Sequence, residues 1–442
     1  MSSYKRAALW MLIIFIAFTG ALVSRWSLSE NVSAEEDTHY KIIHTFAEAL
    51  TLIKKNYVEE VEDKDLVYGA IKGMLSSLDP HSSFMPPNVY KEMQVDTKGE
   101  FGGLGIQISI KDNFLTVIAP IEDTPAYKVG VKAGDKIIKI NNESTKDMSI
   151  LDAVSKLRGP KGTSVTITIV REGLDKPTEI TIVRDIISIK SVKSRVIDSS
   201  IGYVKLLQFQ ETTSSELEKA LKDLEKEKIN SLILDLRNNP GGLLNSSVDV
   251  TSQLLPPDKL VVYIKGRDGE KTEFKTSNGK PSYKYQMIVL VNEGSASASE
   301  IVAGALQDWE RAVILGTQTF GKGSVQTVIP LSDGSGIRLT TARYYTPKDR
   351  SIQTTGIKPD IVVELATKKG AKKHPVFREK DLEKHLENDT VKDAEPAVTD
   401  DKKEEDLIEA PVEVSDEDDV QLQRAIDLLK SWDVFKNIKK AA

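Results

Sequence analysis

The chain has 442 residues, too many for one compact core, so two or three domains with connecting segments are expected. Its formal charge of -6 arises from 60 Lys/Arg interspersed with 66 Asp/Glu, with no basic block to track a phosphate backbone, which argues against nucleic acid as a partner. The chain has no cysteine, which excludes disulfides, thiolate metal sites and a cysteine nucleophile, and its five histidines (His39, His44, His81, His374, His385) are scattered.

In chain order, Lys5 and Arg6 precede an apolar run from Ala7 to Val23, followed by Arg25 and Trp26, the pattern of an export segment. Val32-Ser33-Ala34 offers a cleavage site but lies some distance past the run, so residues 1–34 read either as a signal peptide or as an uncleaved signal-anchor. The alternative for this run is a buried core helix. On the export reading the rest of the chain works in the cell envelope, periplasmic or membrane-anchored and facing outward.

Two helical stripes follow: Ile42, Phe46, Leu50, Ile53 and Tyr57, then Val67, Ile71, Met74 and Leu78. They predict a helical part over 35–96, packed near the core or used to form a homo-oligomer. The polar turn Leu78-Asp79-Pro80-His81-Ser82-Ser83 and the pair Pro86-Pro87 end it. Over 97–186 short β-rich runs alternate with Gly and Asp turns, which predicts one small β-rich module. From 187 to 366 apolar strands (Ile201 to Leu206, Ser231 to Leu236, Met287 to Val291, Ala312 to Leu315) alternate with helical patterns, which predicts an α/β core with a largely parallel sheet. Residues 367–419 are dominated by Lys, Glu, Asp and Pro and read as a solvated, disordered linker. Leu422, Ala425, Ile426, Leu429 and Trp432 then predict a terminal helix over 420–442.

Chemistry concentrates in three glycine-rich turns, each after a core strand. In the second, Asn292-Glu-Gly-Ser-Ala-Ser297-Ala-Ser-Glu300 links a strand to a helix, a context that exposes a hydroxyl at the carboxyl end of a sheet. Ser297 with Glu300 also matches a capping box, so on this segment alone Ser297 reads first as a helix cap. No histidine lies between His81 and His374, so a base for Ser297 has to be another residue type. Lys322, in Phe320-Gly-Lys-Gly323, is the best candidate, since desolvation can lower a lysine from its usual ~10.4. Its alternatives are a surface lysine in a glycine turn and a phosphate-binding loop. The latter requires Ser or Thr where Gly323 stands, and a helix where Ser324 to Ile329 reads as a strand. In the first turn, Asp235-Leu-Arg-Asn-Asn-Pro-Gly241-Gly242 offers backbone amides that, with the amide of Ala298, would form an oxyanion hole, or else it is an ordinary strand-to-helix turn.

Together these three turns resemble the C-terminal processing peptidases, or tail-specific proteases, over roughly residues 40 to 365. The resemblance implies a serine endopeptidase that needs no metal or cofactor. In it Ser297 is the nucleophile, Lys322 the base, Gln326 its orienting partner and Gly242 the oxyanion glycine, with Gly241 beside it. It also implies that the 97–186 module is an inserted PDZ domain, whose Gly103-Leu104-Gly105-Ile106 loop grips the C-terminal carboxylate of protein or peptide substrates. Arg158 is then a contact for that tail or a brace to the core, where the residue alone reads as a solvated surface arginine. A non-catalytic PDZ scaffold is the competing function. An uncleaved N-terminal segment would add the membrane as a partner.

Overall fold

The computed structural model describes residues 40–441 apart from 175, 199, 278–282, 284, 365–376 and 391–414. The expected export segment, 1–34, lies outside the described residues. Among the described residues no helix is long and apolar enough to cross a membrane.

Helix α1 (40–56) and helix α2 (Asp63–Ser76) open the described chain. Strand β1 (Ser83–Met85), helix α3 (Pro87–Lys98) and strand β2 (Glu100–Gly103) follow. Proline occupies the first position of α3, where its missing N–H has no partner to lose.

The β-rich module consists of β3 (Ile106–Lys111), β4 (Phe114–Pro120), α4 (Pro125–Lys128), β5 (Lys136–Ile140), β6 (Glu143–Ser144), α5 (Ile150–Leu157), β7 (Ser164–Val170) and β8 (Thr178–Val183). The order β3-β4-β5-β7-β8, with β6 on β5, leaves β3 at one edge. Its core is Leu104, Leu115, Val117, Ile137, Ile140, Val165, Ile167, Ile169 and Ile182. The chain enters through β2 and leaves through β9 (Asp185–Ser188), and these two strands pair antiparallel, Glu100 opposite Ser188 and Gly103 opposite Asp185. The module is thus an insertion carried on a two-stranded neck.

The core comprises β10 (Val192–Ile197), β11 (Ile201–Leu206), α6 (Thr213–Lys226), β12 (Ser231–Asp235), α7 (Leu244–Leu254), β13 (Leu260–Gly266), β14 (Lys271–Lys275), β15 (Gln286–Val291), α8 (Ala298–Asp308), β16 (Val313–Gly316), β17 (Ser324–Pro330), β18 (Gly336–Tyr345), β19 (Ile361–Val362) and α9 (Val420–Ala441). Strands β10-β11-β12-β15-β16-β19 form one sheet, parallel except for β10. Successive strand residues face opposite sides. Leu232, Leu234, Met287, Val289 and Val291 therefore pack with α6, α7 and α8. Ile233, Ile288 and Leu290 face the other way, onto Leu422, Ala425, Ile426 and Leu429 of α9. Trp432, expected on the same stripe, is exposed instead. A second sheet, β1-β18-β13-β14 with β17 also on β18, follows in antiparallel pairing.

The expected linker over 367–419 needs correction. Residues 377–390 fold onto the core, with a 3-10 turn at Glu379–Asp381 and with Glu379 and Asn388 buried. The buried Glu379 carboxyl is satisfied: His81 Nε2 lies 3.0 and 2.8 Å from its two oxygens and Gln353 Nε2 donates to Oε1 at 2.9 Å. Composition cannot show partners that lie 298 positions away in sequence.

Candidate active site

The three glycine-rich turns meet at the carboxyl ends of β12, β15 and β16. The first two are locked by a reciprocal amide pair: Asn238 N–H donates to Asn292 Oδ1 at 2.8 Å, and Asn292 Nδ2 donates to Asn238 Oδ1 at 2.8 Å. Ala296 N–H bonds to the Asn239 carbonyl at 3.0 Å. The contact is so close that a Cβ on Gly241 would meet the Ala296 carbonyl oxygen and Ser297 Cβ at 2.8 Å, so only glycine fits.

Three serines share the second turn, and their hydroxyls separate them. Ser295 Oγ donates to the Leu236 carbonyl at 2.8 Å and Ser299 Oγ to the Asn239 carbonyl at 2.9 Å, both from fully buried residues. Ser297 is partly exposed and its side chain makes no cap hydrogen bond. Glu300 Oε2 accepts from Ser297 N–H at 2.8 Å, and Glu300 N–H donates to the Ser297 carbonyl at 2.8 Å. The hydrogen bonds at this end of α8 weigh against the helix-cap reading of the Ser297 hydroxyl. At φ 54 and ψ -113 its backbone is in a region costly for a residue with a Cβ, the kind of strain found where a turn must present one side chain.

Glu300 was visible in the sequence only as a capping residue, yet it joins the Ser297 turn to the lysine loop. Its Oε2 also accepts from Lys322 N–H at 3.0 Å, so the backbones of Ser297 and Lys322 share one oxygen. Oε1 accepts from Gly321 N–H at 2.8 Å and Thr319 Oγ1 at 2.5 Å. Burial pushes the carboxyl up to about 7 despite these donors. A further tie runs from Phe320 N–H to the Ser295 carbonyl at 3.1 Å.

Among the described residues Lys322 Nζ takes part in no hydrogen bond or ion pair. Desolvation lowers its pKa and Arg338 lowers it further, while Glu379, Glu300 and Asp79 act in the opposite direction. The residue after Lys322 leads into a strand, β17, not a helix, which excludes a phosphate-binding loop.

The expected oxyanion donors separate. Gly241 N–H donates to Asn239 Oδ1 at 2.9 Å and so shapes the turn. The N–H groups of Gly242 and Ala298 enter no loop hydrogen bond among the described residues. Gly242, at φ 141, is pressed so closely to Phe209 that a Cβ would lie 2.1 Å from its carbonyl oxygen. Gln326 departs from expectation: it sits at a β-bulge between β17 and β18 and donates to Ser324 Oγ at 2.9 Å and Thr340 Oγ1 at 3.4 Å, with no bond to Lys322.

In the inserted module, Gly105 has φ 77, and its carbonyl accepts from Ile121 N–H at 2.8 Å and Thr124 Oγ1 at 3.1 Å. The N–H groups of Leu104 and Gly105 enter no turn or loop hydrogen bond among the described residues, and Ile106 opens the edge strand β3. Gly103 closes β2, and Leu104 is buried in the module's core. Arg158 is partly buried and paired. Its Nη1 lies 2.5 Å from Glu92 Oε2 of α3 and its guanidinium lies 4.2 Å from the Phe101 ring, so it braces the module to the region before the neck.

This arrangement of fold and turns is that of a serine-type peptidase, and comparison with known proteins agrees. The family model described as Peptidase family S41 matches residues 200–363, a PDZ domain matches 116–171, and the activating protease CtpB N-terminal domain matches 16–88. A carboxy-terminal-processing protease of Bartonella bacilliformis is 44% identical over 95% of this chain and 95% of its own. A carboxyl-terminal-processing protease of Synechocystis sp. is 41% identical over 71% of this chain and 75% of its own. The solved structure of a photosystem II D1 C-terminal processing protease shares 30% identity over 72% of this chain and 92% of that one, with a TM-score of 0.42. The chain belongs to the carboxy-terminal processing proteases of peptidase family S41.

Proposed function

We propose that Ser297 attacks the scissile carbonyl of a protein tail while Lys322, neutral in its desolvated loop, takes the hydroxyl proton. Gly242 and Ala298 then donate to the tetrahedral oxyanion, the amine leaves with a proton returned from Lys322, and water releases the acyl product from Ser297. The observation that carries this reading is the contrast among three serines in one turn: two hydroxyls are committed to carbonyls, and the third is partly exposed on a strained backbone that shares a carboxylate oxygen with Lys322.

The PDZ domain supplies the substrate. The unbonded Leu104 and Gly105 amides face a terminal carboxylate, and the free edge of β3 pairs with the tail beside it. Gly103, Ile106 and Arg158 complete that subsite, with Arg158 acting through its brace to Glu92 as well. The basic, apolar N-terminus directs this activity to the cell envelope.

The test is degradation of an unstructured protein by the chain lacking residues 1–34. Ser297→Ala and Lys322→Arg should both be inactive, since arginine keeps its charge and accepts no proton. Turnover by either variant would overturn the assignment.

A further inference from the structure

Two segments from outside the glycine-rich turns meet behind the lysine loop. Asp79 belongs to the turn before β1, and its Oδ1 accepts from His81 N–H at 2.8 Å, Ser82 N–H at 2.9 Å and Thr340 Oγ1 of β18 at 3.1 Å. Thr340 Oγ1 in turn accepts from Gln326 Nε2. His81, held by this turn, places its ring on the carboxylate of Glu379, which lies beyond the 200–363 span of the peptidase match.

Glu379 is fully buried and reaches the lysine loop from two directions. Its N–H donates to the Phe320 carbonyl at 3.2 Å. Its Oε1 accepts from Gln353 Nε2 at 2.9 Å, and Gln353 Oε1 accepts from Gly323 N–H at 2.9 Å. Gly323 could not be held this closely with a side chain, since a Cβ would lie 2.4 Å from Gln353 N. Phe320 and Gly323 bracket Lys322, so the loop is fixed by Glu300 on the nucleophile side and by Glu379 and Gln353 on the other. Asn388 Nδ2 also donates to the Gln353 carbonyl, which keeps residues 377–390 on this face.

We propose that Glu379 is a positioning residue for Lys322, and that residues 377–390 with the Asp79–His81 turn complete the catalytic unit from outside the matched peptidase core. This rests on Lys322 being the base. The placement has an electrostatic consequence: Lys322 is faced by Arg338 from β18, Glu300 from α8, Asp79 from the turn before β1, and Glu379, and the Glu379 carboxylate favours the ammonium form. A side chain that only filled space here would leave the lysine's titration unchanged.

The experiment measures kcat/KM against pH for cleavage of one unstructured protein by the chain lacking residues 1–34, with thermal melts alongside. Glu379→Gln keeps an acceptor for Gln353 and removes the charge, so the acid limb should move to lower pH with a fall of less than about tenfold in the plateau. Glu379→Ala releases the loop and should lose on the order of 100-fold in kcat, as expected for displacement of a catalytic group by about 1 Å. His81→Gln leaves the Glu379 charge on Lys322, and its limb should stay at or above the wild-type position. An unmoved or raised limb in Glu379→Gln would overturn the proposal whether or not Glu379→Ala folds, as would a folded Glu379→Ala within twofold of wild type. Ser297→Ala and Lys322→Ala are run in parallel: activity in either removes the dyad, whereas inactivity in both with an unmoved Glu379→Gln limb removes only this inference.

Discussion

Ser297 owes its candidacy to what its neighbours do. Ser295 and Ser299 stitch the turn to the Leu236 and Asn239 carbonyls, and replacing either by alanine should cost about 1 kcal/mol or more in stability by leaving a buried acceptor short of a donor. Ser297→Ala removes no such bond, so its unfolding midpoint in urea should stay within about 1 kcal/mol of wild type while turnover disappears. Lys322 carries the complementary prediction. Its depressed folded pKa means that the folded chain binds fewer protons than the unfolded one between that value and the usual ~10.4, so the cost of burying it is fully present below the folded pKa and fades as pH rises toward 10. Lys322→Met should therefore be more stable than wild type near neutral pH by a margin that shrinks on going alkaline, as read by urea unfolding at several pH values. Arg338 also depresses Lys322, so Arg338→Gln should raise the acid limb of activity. At this scale the sequence singled out Ser297, Lys322 and Gly242 as candidates because each stands in a short motif. It did not show the partners of Gly241 or Gln326, because which donor occupies which acceptor depends on loops that meet only after folding.

At the level of elements, two linkages deserve separate tests. The strand edge of β3 and the Leu104–Gly105 amides predict that a free-acid peptide is cleaved substantially faster than its C-terminally amidated form, since charge-assisted bonds to a carboxylate contribute about 1.5–3 kcal/mol. Equal rates would leave the PDZ domain a structural or regulatory role. Gly105→Val is a poor probe of this contact, because the new Cβ would lie 2.2 Å from Thr124 Cβ and would disturb the loop itself. Helix α9 supplies the second linkage. It covers the sheet face formed by Ile233, Ile288 and Leu290, and Arg237 pairs with Asp419 at 2.7 Å just before it. Ile426→Ala should destabilise the chain by roughly 2–5 kcal/mol in a denaturant titration, the range for a buried isoleucine cut back to alanine, whereas an exposed helix would lose almost nothing. The alternation of strands and helices in the parallel sheet, and most strands of the PDZ domain, were legible from periodicity within a few residues. Of the second sheet only β17 was legible, as the strand over Ser324 to Ile329; β1 is three residues long, and the pairings of β1 and β13 with β18 are non-local.

Across the whole molecule, the candidate site is closed by segments that the sequence separates widely. The Asp79–His81 turn precedes the PDZ insertion, the serine and lysine turns follow it, and residues 377–390 arrive after the core sheet is complete. Because β2 and β9 pair, the insertion leaves the chain almost where it entered, which lets the two parts of the site flank a separate domain. Composition alone made residues 367–419 look uniformly solvated, and it failed at 377–390 because one buried glutamate bonded to His81, Gln353 and Phe320 outweighs a polar average. The most direct measurement is covalent trapping with a serine-directed fluorophosphonate on the chain lacking residues 1–34, followed by peptide mapping. The account predicts modification at Ser297 alone, at a rate that rises with pH in the wild type and is lost in Lys322→Arg. Label on Ser295 or Ser299, or equal labelling of Ser297 in Lys322→Arg, would contradict it.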